Sequence, residues 1–233
     1  MKPTIKLATI KTPDGGEMVL YKHDHDFSIQ INGHELMNNR QHESEMELAR
    51  LGCAHLTGKQ KPQVMIGGLG MGYTLRQTLD MLSSDAKVVV SELLPAVFNW
   101  NQDFLGELNN HPLDDQRAEI IIGDIYQLLS QSKNKFDTIL LDIDNGPSAI
   151  VDSNNQRLYT PTGIQLCRQA LRNKGCLAVW SGNPSKAFEQ VLTSCGFHVQ
   201  QYQLKPYKRS KKASYFVWVA SEDIRKIPPS SPL

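Results

Sequence analysis

Apolar and polar residues alternate in four short runs at the start of the chain, Ile5 to Thr12, Met18 to Lys22, Phe27 to Ile31 and His34 to Met37. A period of two places one face of an extended segment on a core and the other in solvent, so these runs predict strands. Pro13-Asp14-Gly15-Gly16 and Asn32-Gly33 separate them. Asn-Gly readily takes the positive backbone angles of a tight hairpin turn, which predicts a small antiparallel N-terminal sheet. The pattern then changes. Met46, Ala49, Leu51 and Cys53 recur at roughly helical spacing within residues 43–56, and Gly58 to Pro62 ends that helix.

From Lys61 onward, short apolar runs alternate with helical patterns. Strands are predicted at Gln63 to Ile66, Lys87 to Ser91, Glu119 to Ile122, Phe136 to Asp142 and Cys176 to Trp180. Helices are predicted to start at Tyr73, Pro95, Ile125, Thr162 and Ser185. Such alternation with short connections implies an α/β fold with a doubly wound, mostly parallel sheet. The ending departs from it: Phe197 to Leu204 and Ala213 to Ala220 are joined by a short polar loop, so the last strand is expected to return antiparallel. The expected organisation is a β-rich element with its helix at 1–60, a main domain at 61–222 and a flexible tail at 223–233.

With 233 residues, 40% of them hydrophobic, the chain can bury a substantial core. Its net charge of +1 sets up no field toward nucleic acid or membrane. The basic stretch Lys205 to Lys212 therefore reads as a solvated loop in preference to an RNA contact. No apolar run approaches the roughly 18 residues of a membrane span. Cys53, Cys167, Cys176 and Cys195 show no metal-ligand spacing and the N-terminus has no apolar secretory core, which suggests reduced thiols and a cytoplasmic location. His23-Asp24-His25-Asp26 alternates faces on a strand and reads as a turn, so no metal is expected.

The chemistry concentrates at Val64-Met-Ile-Gly-Gly-Leu-Gly-Met-Gly72 and Glu92. A buried strand, a glycine turn that lets backbone approach a ligand, and an acidic residue after the next strand make a nucleoside half-site. A nicotinamide fold would place a third glycine at Tyr73. The loop instead reads Gly68-x-Gly70-x-Gly72, which together with an antiparallel last strand resembles the Rossmann-like fold of class I S-adenosylmethionine-dependent transferases, the methyltransferase superfamily. Ligands of open α/β sheets bind beyond the carboxyl ends of the strands, which brings Gly67, Gly68, Gly70, Gly72, Glu92, Asp124 and Asp142 to one rim. Each has a plainer alternative. Glu92 is a ribose ligand or a solvated carboxylate, Asp124 an adenine contact or a helix cap, and Asp142 and Asp144 active-site acids or turn formers.

The resemblance narrows further. Ile66-Gly-Gly-Leu-Gly-Met-Gly72, Val90-Ser-Glu92, Ile122-Gly-Asp124, Phe136 to Asp142 and Leu158-Tyr-Thr160 before Ala170-Leu171 look like the spermidine synthase (polyamine aminopropyltransferase) family. That resemblance implies an adenosyl sulfonium donor held by Gly67 to Gly72, Glu92, Asp124 and Asp142. It also implies Asp142, Asp144 and Tyr159 at the acceptor, a small-molecule acceptor such as an amine, and a homodimer paired through the N-terminal element. Three departures bear on the reaction. Gly70 occupies the family's acidic slot in the loop, Asn145 takes the place of a second aspartate unless Asp144 substitutes, and the tunnel Tyr and His fall on Ser44 and Arg50. With these acids depleted and an arginine toward the tunnel, the expectation is methyl transfer from S-adenosylmethionine. Aminopropyl transfer from decarboxylated S-adenosylmethionine and a catalytically silent nucleoside-binding module are the alternatives.

Overall fold

The computed structural model describes residues 3–13, 15–143, 147, 155–205 and 215–230. Strands β1 (Ile5–Lys11), β2 (Glu17–His23), β3 (Asp26–Ile31) and β4 (His34–Asn38) form an antiparallel sheet in sequential order. Asn32 and Gly33 both take positive φ, as the hairpin between β3 and β4 requires. His23 pairs with Asp26 around a turn with Asp24 at φ 57°, so the His-Asp-His-Asp stretch is a hairpin.

The second sheet has seven strands: β5 (Gln63–Gly67), β6 (Lys87–Glu92), β7 (Ala118–Ile122), β8 (Phe136–Leu141), β9 (Leu171–Ser181), β10 (His198–Leu204) and β11 (Tyr215–Ser221). Their spatial order is β10-β11-β9-β8-β5-β6-β7. β9, β8, β5, β6 and β7 are mutually parallel, and β11 inserts antiparallel between β9 and β10. The order reverses between β5 and β8, and a crevice opens at such a switch point.

Helices α1 (Glu43–Cys53), α2 (Tyr73–Met81) and α3 (Pro95–Trp100) share one core with the N-terminal sheet, through Leu20, Ile29, Leu48, Leu75 and Val97. On the opposite face, α4 (Ile125–Ser130), α5 (Pro161–Ala170) and α6 (Lys186–Ser194) bury Leu129, Ile164 and Phe188. α1 packs on α2, β8, β9 and β11. The helix that its sequence position groups with the element at 1–60 thus also rests on the seven-stranded sheet. Gly52 makes this contact possible, because a Cβ there would stand 2.3 Å from Leu140 Cδ2 and 2.9 Å from Ala178 Cβ.

Other boundaries differ for local reasons. β9 begins at Leu171, ahead of the expected Cys176, by pairing Leu171 with Phe136 before a register irregularity. The polar run Arg172 to Gly175, with Lys174 at φ 62°, hides that pairing from a periodicity count. The helix from Pro95 is short and passes into a π-helical turn at Asn101–Leu105. The segment from Asp223, expected to be a flexible tail, forms a 3-10 turn at Ile224–Lys226, and the Tyr202 hydroxyl donates to the Pro228 carbonyl. Among the described residues no helix is long and apolar enough to cross a membrane. Residues 206–212 of the basic stretch, and residues 213 and 214 of the expected last strand, lie outside the described residues.

Candidate active site

The glycine loop leaves β5 where backbone from two other strands closes around it. Gly68 N donates to Ser91 O at 2.8 Å, and Asp142 N donates to Gly67 O at 2.9 Å. Gly68 has φ +90°, and a Cβ there would stand 2.2 Å from the Asp142 carbonyl oxygen, so only glycine fits. Gly72, at φ 83°, opens α2. Two buried asparagines brace the loop from behind: Asn101 Nδ2 donates to Gly70 O at 2.8 Å and Asn109 Nδ2 to Met71 O at 2.6 Å. Neither was legible in the sequence, since an asparagine beyond a short helix reads as loop polarity.

Glu92 is 7% exposed and holds the same loop, accepting from Leu69 N at 2.9 Å and from Leu94 N at 2.8 Å. The reading of Glu92 as a solvated loop carboxylate is thus excluded. A carboxylate has about four acceptor positions, and Glu92 lines the cavity beside the loop. Asp124 caps α4, its Oδ1 accepting from Tyr126 N at 2.8 Å, while Oδ2 pairs with Arg157. The Arg157 guanidinium lies over the Tyr126 ring, 4.4 Å from its centroid.

Glycine loop, Glu92, Asp124 and Asp142 converge on one cavity of about 740 Å³. Its other wall comes from the N-terminal sheet, through Met18, Ile29, Ile31 and Met37. Five carboxylates line it, those of Glu35, Glu45, Glu92, Asp124 and Asp142, and among the described lining residues there is no lysine, arginine or histidine.

Asp142 follows β8 and accepts from Thr74 Oγ1 at 2.5 Å. Burial raises its carboxyl above the usual carboxylate range, and the Thr74 hydrogen bond works against that rise. The acid that sequence reasoning missed is Glu45, in the first turn of α1. Burial pushes its carboxyl up strongly and the Asp142 charge adds to the shift. Tyr73 is pushed up to about 12 by burial and by Glu45, and Tyr215 is raised by burial and by Glu45 and Glu35. Tyr215 and Trp180 pack with ring centroids 5.2 Å apart at the same end of the cavity.

Several sequence assignments change here. Ser44 reaches the cavity, but Arg50 does not line it; its guanidinium donates to Glu47 Oε1 at 2.5 Å and Gln77 Oε1 at 3.1 Å. The expected repulsion of a cationic acceptor by Arg50 is therefore absent. Tyr159 is not a cavity residue either: it is 6% exposed, packs edge-on to Phe188, and its hydroxyl donates to Ile143 O at 3.3 Å. The 3-10 turn Asn155–Tyr159 delivers that ring to the core under β8. Asp144 lies outside the described residues. Among the described residues no group of three or more His, Cys, Asp or Glu could hold a metal ion.

Residues 45–207 match the spermine/spermidine synthase domain family. The polyamine aminopropyltransferase of Saccharolobus solfataricus is 28% identical over 138 residues, 59% of this chain and 44% of that protein. The Sulfolobus acidocaldarius polyamine aminopropyltransferase is 31% identical over 122 residues, 52% of this chain and 39% of that protein. The chain thus spans less than half the length of these curated relatives. Among solved structures, spermidine synthase from Thermotoga maritima superposes with a TM-score of 0.72 at 20% identity, over 96% of this chain and 76% of that one. A probable spermidine synthase from Corynebacterium glutamicum gives 0.68 at 15% identity, over 96% and 81%. Those two likenesses establish the mostly parallel Rossmann-like fold, and the domain match over most of the sequence places this chain in the spermine/spermidine synthase family.

Proposed function

We propose that the protein transfers an aminopropyl group from decarboxylated S-adenosylmethionine to a primary amine. The observation that carries this reading is the sign of the cavity: five carboxylates and, among its described lining residues, no basic side chain. S-adenosylmethionine brings an α-carboxylate, which in such a pocket would meet like charges at low dielectric. The decarboxylated donor brings a sulfonium and an ammonium instead, and an amine acceptor is also cationic in water. The charge balance thus turns the expectation of methyl transfer toward aminopropyl transfer. The acidity that the glycine loop lacks at Gly70 is supplied by α1 and β4, through Glu45 and Glu35. The curated relatives named polyamine aminopropyltransferase support the same reading, as does a spermidine synthase structure in complex with the transition-state analogue AdoDATO.

In this mechanism the loop and Glu92 hold the nucleoside, with the ribose diol donating to Glu92 and the adenine beside Asp124. The neutral amine nitrogen attacks the methylene carbon on sulfur, an N–C bond forms, and the C–S electron pair stays on sulfur as a neutral thioether. Asp142 orients the nitrogen, and the proton that the acceptor ammonium sheds to become a nucleophile passes to a cavity carboxylate. Positioning and exclusion of water supply much of the rate in such a displacement.

The test is mass spectrometry of the products formed from each sulfonium donor with a panel of mono- and diamines. Methylthioadenosine together with an aminopropylated amine is the expected result. S-adenosylhomocysteine with a methylated product, or no turnover with either donor, would overturn it.

A further inference from the structure

α1 and the end of β8 bring two carboxylates to one end of the cavity. Glu45 Oε2 accepts from Ser44 Oγ at 2.5 Å, and Asp142 Oδ2 accepts from Thr74 Oγ1 at 2.5 Å. Thr74 Oγ1 also stands 3.3 Å from the Glu45 main-chain carbonyl oxygen, so one hydroxyl at the start of α2 ties the Asp142 carboxylate to the stretch of α1 that carries Glu45. Ser44 and Thr74 are 1% and 2% exposed, which fixes these hydroxyls, whereas both carboxylates line the cavity. Among the described residues that line the cavity, none brings a positive charge. Tyr73 and Tyr215 are neutral hydroxyls, Glu35 adds a further carboxylate, and Arg50 on the same helix is turned to Glu47 and Gln77. His42 is stacked on Tyr73 with ring centroids 4.1 Å apart and does not line the cavity.

Two like charges that act on each other in one low-dielectric cavity repel, and a hydroxyl on each does not cancel the repulsion. The pair therefore keeps a proton while the cavity is empty, in agreement with the upward displacement of both carboxyls. A ligand cation that donates to both oxygens replaces that proton. We propose that Glu45 and Asp142 form a two-carboxylate clamp for one primary alkylammonium group, with Glu45 as its specificity-determining member. The identification of the ammonium with a group of the reacting molecules rests on the aminopropyl-transfer reading. It is either the aminopropyl terminus of the donor or the amine of the acceptor. Binding expels one proton to solvent, with both carboxylates then ionised against the ammonium.

Calorimetry on the full chain tests this with decarboxylated S-adenosylmethionine, methylthioadenosine, which shares its nucleoside but lacks the amine, and 1,4-diaminobutane added with methylthioadenosine. Each titration is run in two buffers of different ionisation enthalpy, with wild type, Glu45→Gln and Glu45→Asp. The expected result is release of about one proton when the amine ligand binds wild type. With Glu45→Gln the same ligand binds about 10- to 100-fold more weakly without proton release, and methylthioadenosine affinity is unchanged. Glu45→Asp should restore part of both signals.

Dependence confined to the decarboxylated donor places the clamp on the aminopropyl terminus, and dependence confined to the diamine places it on the acceptor. Equal binding of every ligand by Glu45→Gln and wild type, a matching loss of methylthioadenosine, or no amine binding by wild type would each overturn the clamp. If no aminopropyl product forms yet amine binding keeps its Glu45-dependent proton release, the functional reading fails and the clamp stands.

Discussion

Gly68→Ala tests whether the crossing of the glycine loop over the end of β8 is as tight as its geometry requires. The added methyl meets two obstacles. At φ +90° an L side chain is strained, by roughly 1–2 kcal/mol on the scale of left-handed backbone. Its Cβ would also lie 2.2 Å from the Asp142 carbonyl oxygen, and backbone cannot swing aside as a side chain can. Overpacking of a close-packed site costs about 1–3 kcal/mol, so the sum is about 2–5 kcal/mol. For a chain of this size each kcal/mol lowers the melting temperature by about 2–4 °C. Gly70→Ala is the internal control. It too has positive φ, +52°, but its Cβ would meet only the Met37 side chain, at 3.4 Å. The expected cost there is the strain alone, about 1–2 kcal/mol. Differential scanning calorimetry of the two variants, paired with methylthioadenosine titration, reads both stability and nucleoside binding. Gly68→Ala should melt lower and lose nucleoside affinity. Equal melting points would refute the steric argument, because strain is common to both positions and the backbone contact is not.

Thr74→Val removes the hydrogen bond that holds the Asp142 carboxyl down, so the acid limb of the rate–pH profile should move to higher pH and turnover near neutrality should fall by about 10-fold; an unmoved limb would remove Asp142 from the rate-determining ionisation. Asp124→Asn keeps a good helix cap and loses the Arg157 pair, whereas Asp124→Ala loses both, so urea unfolding should show a further cost of about 1 kcal/mol for alanine only. Glu45 titrates higher in the folded protein, near 8, than its ordinary 4.5. Its contribution is fully present below 4.5 and is lost as pH rises toward 8, because the unfolded chain ionises first. Glu45→Gln should therefore flatten the stability–pH curve over that window, and parallel curves would contradict the assignment.

Much of the fold was legible because its determinants are local. Asn32-Gly33 dictates a hairpin, apolar runs such as Val88 to Val90 have no stable place but a buried strand, and Gly68 declares a crossing of backbones. That Glu92 and Asp124 reach the rim of the same cavity as the glycine loop was legible for the same reason: both sit at fixed offsets from strand ends. Glu45 was not. An acid in the first turn of an amphipathic helix reads as a solvated residue complementing the helix dipole. Only the docking of α1 on β8, β9 and β11 turns it toward the cavity. Arg50 was misplaced by the same gap, since sequence spacing gives a residue's place on its helix and not which neighbouring helix it faces.

The insertion of β11 between β9 and β10 has a consequence for how the molecule reaches its working state. β11 follows β10 in sequence, yet it separates β10 from every other strand of the described sheet. α1, far from it in sequence, rests in part on that same strand. Pairings so distant in sequence form slowly. A chain cut before Tyr215 would therefore keep the glycine loop, Glu92 and Asp124 but lose part of the surface on which the helix carrying Glu45 rests.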